Sequence, residues 1–160
     1  MIEKINDLNM LGICQNIIQQ SFKTVAENFG LTVENCPNHT SFITEDKLKK
    51  QFSDGADMFL YEKDEKYIGY FSLIKKSRSV YELDNLSVFP EFRHMGISRE
   101  MVEYAKNYAN LKNGETISIG IIEENTVLKE WYKQLGFEHK GTKKFEHLPF
   151  TVGFMELSIN

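Results

Sequence analysis

Cysteine is nearly missing from this chain of 160 residues: Cys14 and Cys36 are its two, without CxxC spacing. That excludes a disulfide framework and a thiolate metal site, and both residues read as reduced thiols of a cytoplasmic protein, small and apolar enough for the core. Long apolar runs are missing too. No stretch reaches the roughly 20 residues of a membrane span, and Met1-Ile-Glu-Lys-Ile-Asn-Asp7 has neither region of a signal or transit peptide. Charge of one sign is not concentrated anywhere. The net charge of −4 is spread over interleaved acids and bases, which argues against nucleic-acid and membrane partners and slightly favours cationic ones such as amines. Repeats, a GxxxxGK[ST] loop and a GxGxxG loop with a following ribose-binding acid are also absent. What is present, 41% hydrophobic and 26% charged residues, suits one compact domain over residues 1–160.

Periodicity supplies the elements. Leu8, Leu11, Cys14, Ile17, Ile18 and Phe22 recur at helical spacing towards Gly30, and a turn-rich loop follows over residues 31–40. Thr44 can cap a second helix, with Glu45 and Asp46 at its positive end and Gly55 near its close. Met58–Glu62 and Tyr67–Ile74 flank the charged turn 63–66 as a hairpin, and Val80–Phe89 is a third strand. A helix carrying Met101, Val102 and Ala105 stops at Asn113-Gly114. Then come the strand Thr116–Ile122, a helix over Asn125–Leu135 closed by Gly136, and two strands over residues 137–144 and 151–159. The third and fourth strands flank a helical crossover and should be parallel, while the hairpins are antiparallel. The expected fold class is therefore α/β, a mixed sheet with helices on both faces.

The break after the third strand carries the chemistry. In Leu86-Ser-Val-Phe-Pro-Glu-Phe-Arg-His-Met-Gly-Ile-Ser98, Pro90 ends the strand, Gly96 leaves the approach to a helix N-terminus open, and Arg93 adds a fixed positive charge. A helix start has N–H groups without partners and binds phosphate readily. These residues fit two readings, a pyrophosphate cradle or a plain strand-to-helix turn.

The same stretch resembles the acyl-CoA-binding motif Q/RxxGxG/A of the GNAT superfamily of N-acetyltransferases. Asn125-Thr-Val-Leu-Lys-Glu-Trp-Tyr-Lys-Gln-Leu-Gly-Phe137 resembles that family's second signature, an Asn followed by a Tyr and then Leu-Gly-Phe. The element order is similar from end to end. Ser98 departs from the usual Gly or Ala, and its oxygen is expected to be tolerated at the helix start.

The resemblance implies a GNAT fold, mostly antiparallel with a central splayed parallel pair of strands, and acetyl-CoA as co-substrate without a metal. It implies cofactor contacts at Leu86, Ser87, Val88, Arg93, His94, Met95, Gly96, Ile97, Ser98, Arg99, Asn125 and Tyr132. Backbone N–H groups near Leu86 and Val88 would face the thioester oxygen, and Tyr132 would protonate the departing thiolate. The helix stripe Leu128, Trp131, Leu135 places Tyr132 just off the buried line. Glu82 stands where some members carry a catalytic glutamate, its pKa raised by burial; a solvated acid is the alternative. Glu146 and His147 are further candidate bases, and many members use ordered water instead. The loop before His39 would wall the acceptor site. The implied activity is acetyl transfer to a primary amine of a small molecule, peptide or protein by direct attack in a ternary complex, and the implied assembly is a homodimer through the C-terminal strands. A non-catalytic acyl-CoA-binding module is the alternative from another class, and Glu82 and Tyr132 together favour the enzyme.

Overall fold

Apolar side chains on both faces of the middle strands require cover on both sides of the sheet. In a computed structural model describing residues 1–159, helices supply that cover. The order is β1 (Ile2–Lys4), α1 (Leu11–Asn28), α2 (Glu45–Ser53), β2 (Asp57–Lys63), β3 (Lys66–Lys75), β4 (Val80–Val88), α3 (Ile97–Leu111), β5 (Thr116–Ile122), α4 (Thr126–Gln134), β6 (Glu138–Lys144) and β7 (Thr151–Ser158). Single helical turns occupy Leu8–Met10, Thr40–Phe42 and Pro90–Phe92.

Seven strands form one sheet in the order β1-β2-β3-β4-β5-β7-β6. Only the β4–β5 pair is parallel, as expected from the α3 crossover between them. β1 extends the sheet beyond the expected strands by pairing Ile2–Lys4 with Phe59–Tyr61. Three residues are too few to show an alternation, so this edge strand has no signal of its own.

One face packs Phe71, Leu83, Ile117 and Met155 against Met101, Val102 and Ala105 of α3 and Tyr132 of α4. The other packs Met58, Leu60 and Tyr70 against Ile17 and Ile18 of α1 and Leu48 of α2. α2 starts where the sequence places its cap: the Thr44 side chain accepts the N–H of Lys47 at 3.2 Å. The β2–β3 turn runs through Asp64 and Glu65 with φ of 49° and 63°, the left-handed pair that matches the twist of a two-residue hairpin. Among the described residues no helix is long and apolar enough to cross a membrane.

Candidate functional site

β4 and β5 begin as neighbours and then part. Their parallel register covers Val80–Glu82 against Thr116–Ser118 and stops there. A bulge in β4 accompanies the parting: Tyr70 of β3 pairs with Ser87, but Ser72 pairs with Asp84. Asn85 takes up the extra length with φ of 54°, a conformation that Asn tolerates better than most residues. Beyond the bulge, Phe89 donates its N–H to Ile68 of β3. By alternation the N–H groups of Leu86 and Val88 therefore point to the opposite edge, into the gap left by β5. This is the splayed pair expected above, and Ser87 between them is buried, with its hydroxyl donating to the Asn85 carbonyl at 2.7 Å.

The gap runs into the start of α3. Pro90–Phe92 makes one helical turn, and His94 and Gly96 then have φ of 63° and 80°. Gly96 is the N-cap of α3 and no side chain caps that end. From His94 to Arg99, no backbone N–H donates to another described residue. A Cβ placed on Gly96 would enter space that, beyond its own neighbours along the chain, holds no protein atom within 4 Å. An uncapped helix start preceded by left-handed turns, with open space in front of it, suits a phosphate group. His94, Met95 and Arg99 are exposed around it, whereas the Ile97 side chain is buried in the core. Ser98 lies inside the first turn and its oxygen does not cap the helix. Arg93 is not a free arm: its Nη2 donates to the Ser21 carbonyl of α1 at 2.6 Å, which leaves its remaining donors for an anion.

On the far side of the gap stands α4. Asn125 caps it by accepting the Leu128 N–H at 3.2 Å. Tyr132 does not lie off the buried line. It is 6% exposed and packs edge-on against Phe137 and Trp131, with centroids 5.2 and 4.9 Å away, while Leu128, Trp131 and Leu135 are only partly buried. Tyr132 faces the core, where Phe137, just after Gly136, packs edge-on against it. Burial pushes the Tyr132 phenol up, and its hydroxyl makes no hydrogen bond to a described residue. It is a protonated donor without a partner.

Glu82 and Asp84 project from the face of β4 that looks towards α1 and α2, both partly buried. The carboxyl driven towards neutrality is that of Asp84, pushed up to about 6 by burial and by the charge of Glu82, against the opposing pull of Lys47, the Asn85 N–H and Lys76. The sequence places Asp84 on the face of Glu82 but does not single it out; its depth depends on Lys47 and the 40s segment packing over it. Thr40 Oγ1 donates to Asn85 Oδ1 at 2.6 Å, tying that segment to the bulge. A hollow of about 110 Å³ opens beside it, lined by His39, Phe42, Ile43, Thr44 and Lys47. His39 is held by Ser41 Oγ at 2.7 Å, and burial pushes its pKa down, so it stays neutral. A larger hollow of about 530 Å³ lies between Gln19, Lys23 and Glu27 of α1 and the Gly30–Phe42 segment. Neither hollow is lined by a cradle residue. Glu146 and His147 are exposed in the turn between β6 and β7.

The geometry has relatives. A curated uncharacterized N-acetyltransferase of Methanocaldococcus jannaschii is 33% identical over 104 residues, 61% of this chain, and the chain spans 45% of that protein's length. The ribosomal-protein-alanine N-acetyltransferase of Escherichia coli superposes with a TM-score of 0.78 at 15% identity, covering 100% of this chain and 94% of that one. An aminoglycoside 6'-N-acetyltransferase complexed with coenzyme A gives 0.71 at 14% identity, covering 100% and 97%. At such identities these two likenesses are of fold. The model of the Acetyltransferase (GNAT) family matches residues 22–137, a stretch that holds β4, the cradle, Asn125 and Tyr132, and the chain belongs to that family.

Proposed function

We propose that residues 1–160 act as one domain that transfers an acetyl group from acetyl-CoA to a primary amine, by direct attack with both substrates bound. The observation that carries the reading is the run of partnerless N–H groups from His94 to Arg99 at the end of an open gap between β4 and β5. Diphosphate fits that helix start, and an extended arm would lie in the gap between β4 and the Asn125 end of α4. Acetyl-CoA supplies an activated thioester. The protein's part is to hold the thioester oxygen at the Leu86 and Val88 N–H groups, where charge develops during attack. Tyr132, buried and protonated, donates to the departing sulfur. An ammonium acceptor must lose a proton before it attacks. Asp84, with its pKa near 6, and its neighbour Glu82 take that proton directly or through water.

The acceptor enters from the side of His39, Phe42 and Lys47, where the Thr40–Asn85 hydrogen bond holds the wall against β4. Calorimetric titration with acetyl-CoA, CoA and ATP, followed by turnover over an amine panel, tests the reading. Saturable binding of the CoA species but not ATP, with thiol release on adding an amine, is the expected result. CoA binding with no turnover on any amine would instead favour a non-catalytic acyl-CoA-binding module.

A further inference from the structure

Ser21 breaks the pattern of its own helix. It follows Ile17 by four residues and Ile18 by three, so it lies on the buried stripe of α1, and it is only 9% exposed. A hydroxyl at such a position costs stability unless it is used. The hydroxyl is used once, on β4, and the backbone carbonyl of the same residue holds Arg93 beside the cradle. Ser21 Oγ accepts the N–H of Val88 at 3.3 Å, and the Ser21 carbonyl accepts from Arg93 Nη2 at 2.6 Å and from Thr24 Oγ1 at 3.2 Å.

We infer that the Ser21 hydroxyl is a placeholder for the thioester oxygen, a positioning residue that holds the Val88 N–H until an acyl group takes it. This rests on the proposed function, in which Val88 is one of the two oxygen-binding donors. The Val88 N–H faces the gap and is buried, so without an acceptor it would be an orphan. A hydroxyl is the right acceptor for a temporary contact. At 3.3 Å the hydrogen bond is at the long, weak end of its range, and one torsion removes the oxygen. A carboxylate there would bind too strongly and repel the developing charge. An alanine would leave the donor bare. The Arg93 contact is made by the Ser21 backbone, so the side chain can be changed while the arginine keeps its anchor.

The consequence concerns acetyl-CoA but not CoA, because only the former brings a carbonyl oxygen. Binding acetyl-CoA requires the Ser21–Val88 hydrogen bond to be given up; binding CoA does not. Ser21→Ala removes that cost. The ratio of CoA to acetyl-CoA dissociation constants, measured by calorimetry on the whole chain, is expected to rise roughly threefold to tenfold, while Ser21→Thr, which keeps a hydroxyl, stays near the unaltered protein. A merely structural role would weaken both ligands together or neither, and an unchanged ratio overturns the inference. A ratio that falls would show the hydroxyl donating to the oxygen, which also overturns it. The unaltered protein gives an independent reading: the Val88 amide resonance should shift on adding acetyl-CoA and not on adding CoA. Equal response of Val88 to both ligands defeats the placeholder while leaving CoA binding intact, and failure of the unaltered protein to bind any CoA species overturns the proposed function along with it.

Discussion

At the scale of single residues, two groups near the gap have pKa values moved by burial, and each yields a prediction. For Tyr132 the shift keeps the phenol protonated throughout the neutral range. Tyr132→Phe should lower kcat by roughly 10²-fold or more, with acetyl-CoA affinity and unfolding temperature nearly unchanged; full turnover in the variant would remove the general-acid role. Asp84 works the other way. Its carboxyl has a folded-state pKa of about 6 against 3.8 in the unfolded chain, so the folded state binds the extra proton between those values. Its contribution is most favourable below pH 3.8 and is lost as pH rises through about 6. Asp84→Asn should therefore be more stable than the unaltered protein at pH 7.5, by of order 1–3 kcal/mol, and the difference should vanish near pH 4. The same substitution should flatten the acidic limb of kcat near pH 6. Chemical denaturation at the two pH values and a pH–rate profile check both parts; a variant less stable at pH 7.5 would show that Asp84 is held by favourable partners. Gly96 and Asn125 were legible in the sequence, because a left-handed turn and a helix cap are local matters. The distant partners of Ser21 were not, since its hydrogen bonds with Val88 and Arg93 span 67 and 72 residues and no short-range pattern encodes them.

At the scale of elements, the helix starts differ in how they are satisfied: α1 has no side-chain cap but runs on from the Leu8–Met10 turn, whose Leu8 carbonyl accepts the Leu11 N–H. Thr44 caps α2 and Asn125 caps α4 with side-chain oxygens, while α3 begins at a bare glycine. That asymmetry was readable from residue types at each start. That Tyr132 faces inward was not: the stripe Leu128, Trp131, Leu135 is equally apolar, and Phe137, which packs against Tyr132, lies beyond the helix. The bare start of α3 gives a controlled comparison. Gly96 and Gly55 both have positive φ, 80° and 97°, and at neither would a Cβ meet a protein atom within 4 Å beyond its own neighbours along the chain. Alanine at either position should cost about 1–2 kcal/mol of backbone strain, read as a similar fall in unfolding temperature. Only Gly96→Ala should also weaken acetyl-CoA, by about tenfold or more, because only there does the methyl enter the space in front of unpaired N–H groups. Equal affinities in the two variants would mean that the α3 start is not the anion site.

At the scale of the whole molecule, the order of strands and helices was legible because hydrophobic period, turn residues and caps agree along most of the chain. β1 escaped by its shortness, and so did the depth of the groove, which depends on α1 crossing β4. That crossing joins the proposed acyl side to the proposed acceptor side. α1 touches Arg93 at the start of α3 and Val88 of β4, and the segment after it reaches Asn85 through Thr40. Ligand bound at the α3 start should therefore be felt in α1, which it need not touch. CoA at a hundred times its dissociation constant stabilises the folded state by about 2.7 kcal/mol, a rise of roughly 5–10 °C in unfolding temperature for a chain of this size. ATP at the same concentration should give no comparable rise. Amide exchange under the same conditions should slow in α3 and also across the middle of α1 around Ser21. In Arg93→Ala the α1 protection should disappear while some α3 protection survives, because the helix start keeps its N–H groups and loses only the link. Protection confined to α3 in the unaltered protein would show instead that the two sides of the groove are energetically independent, and that α1 serves the acceptor alone.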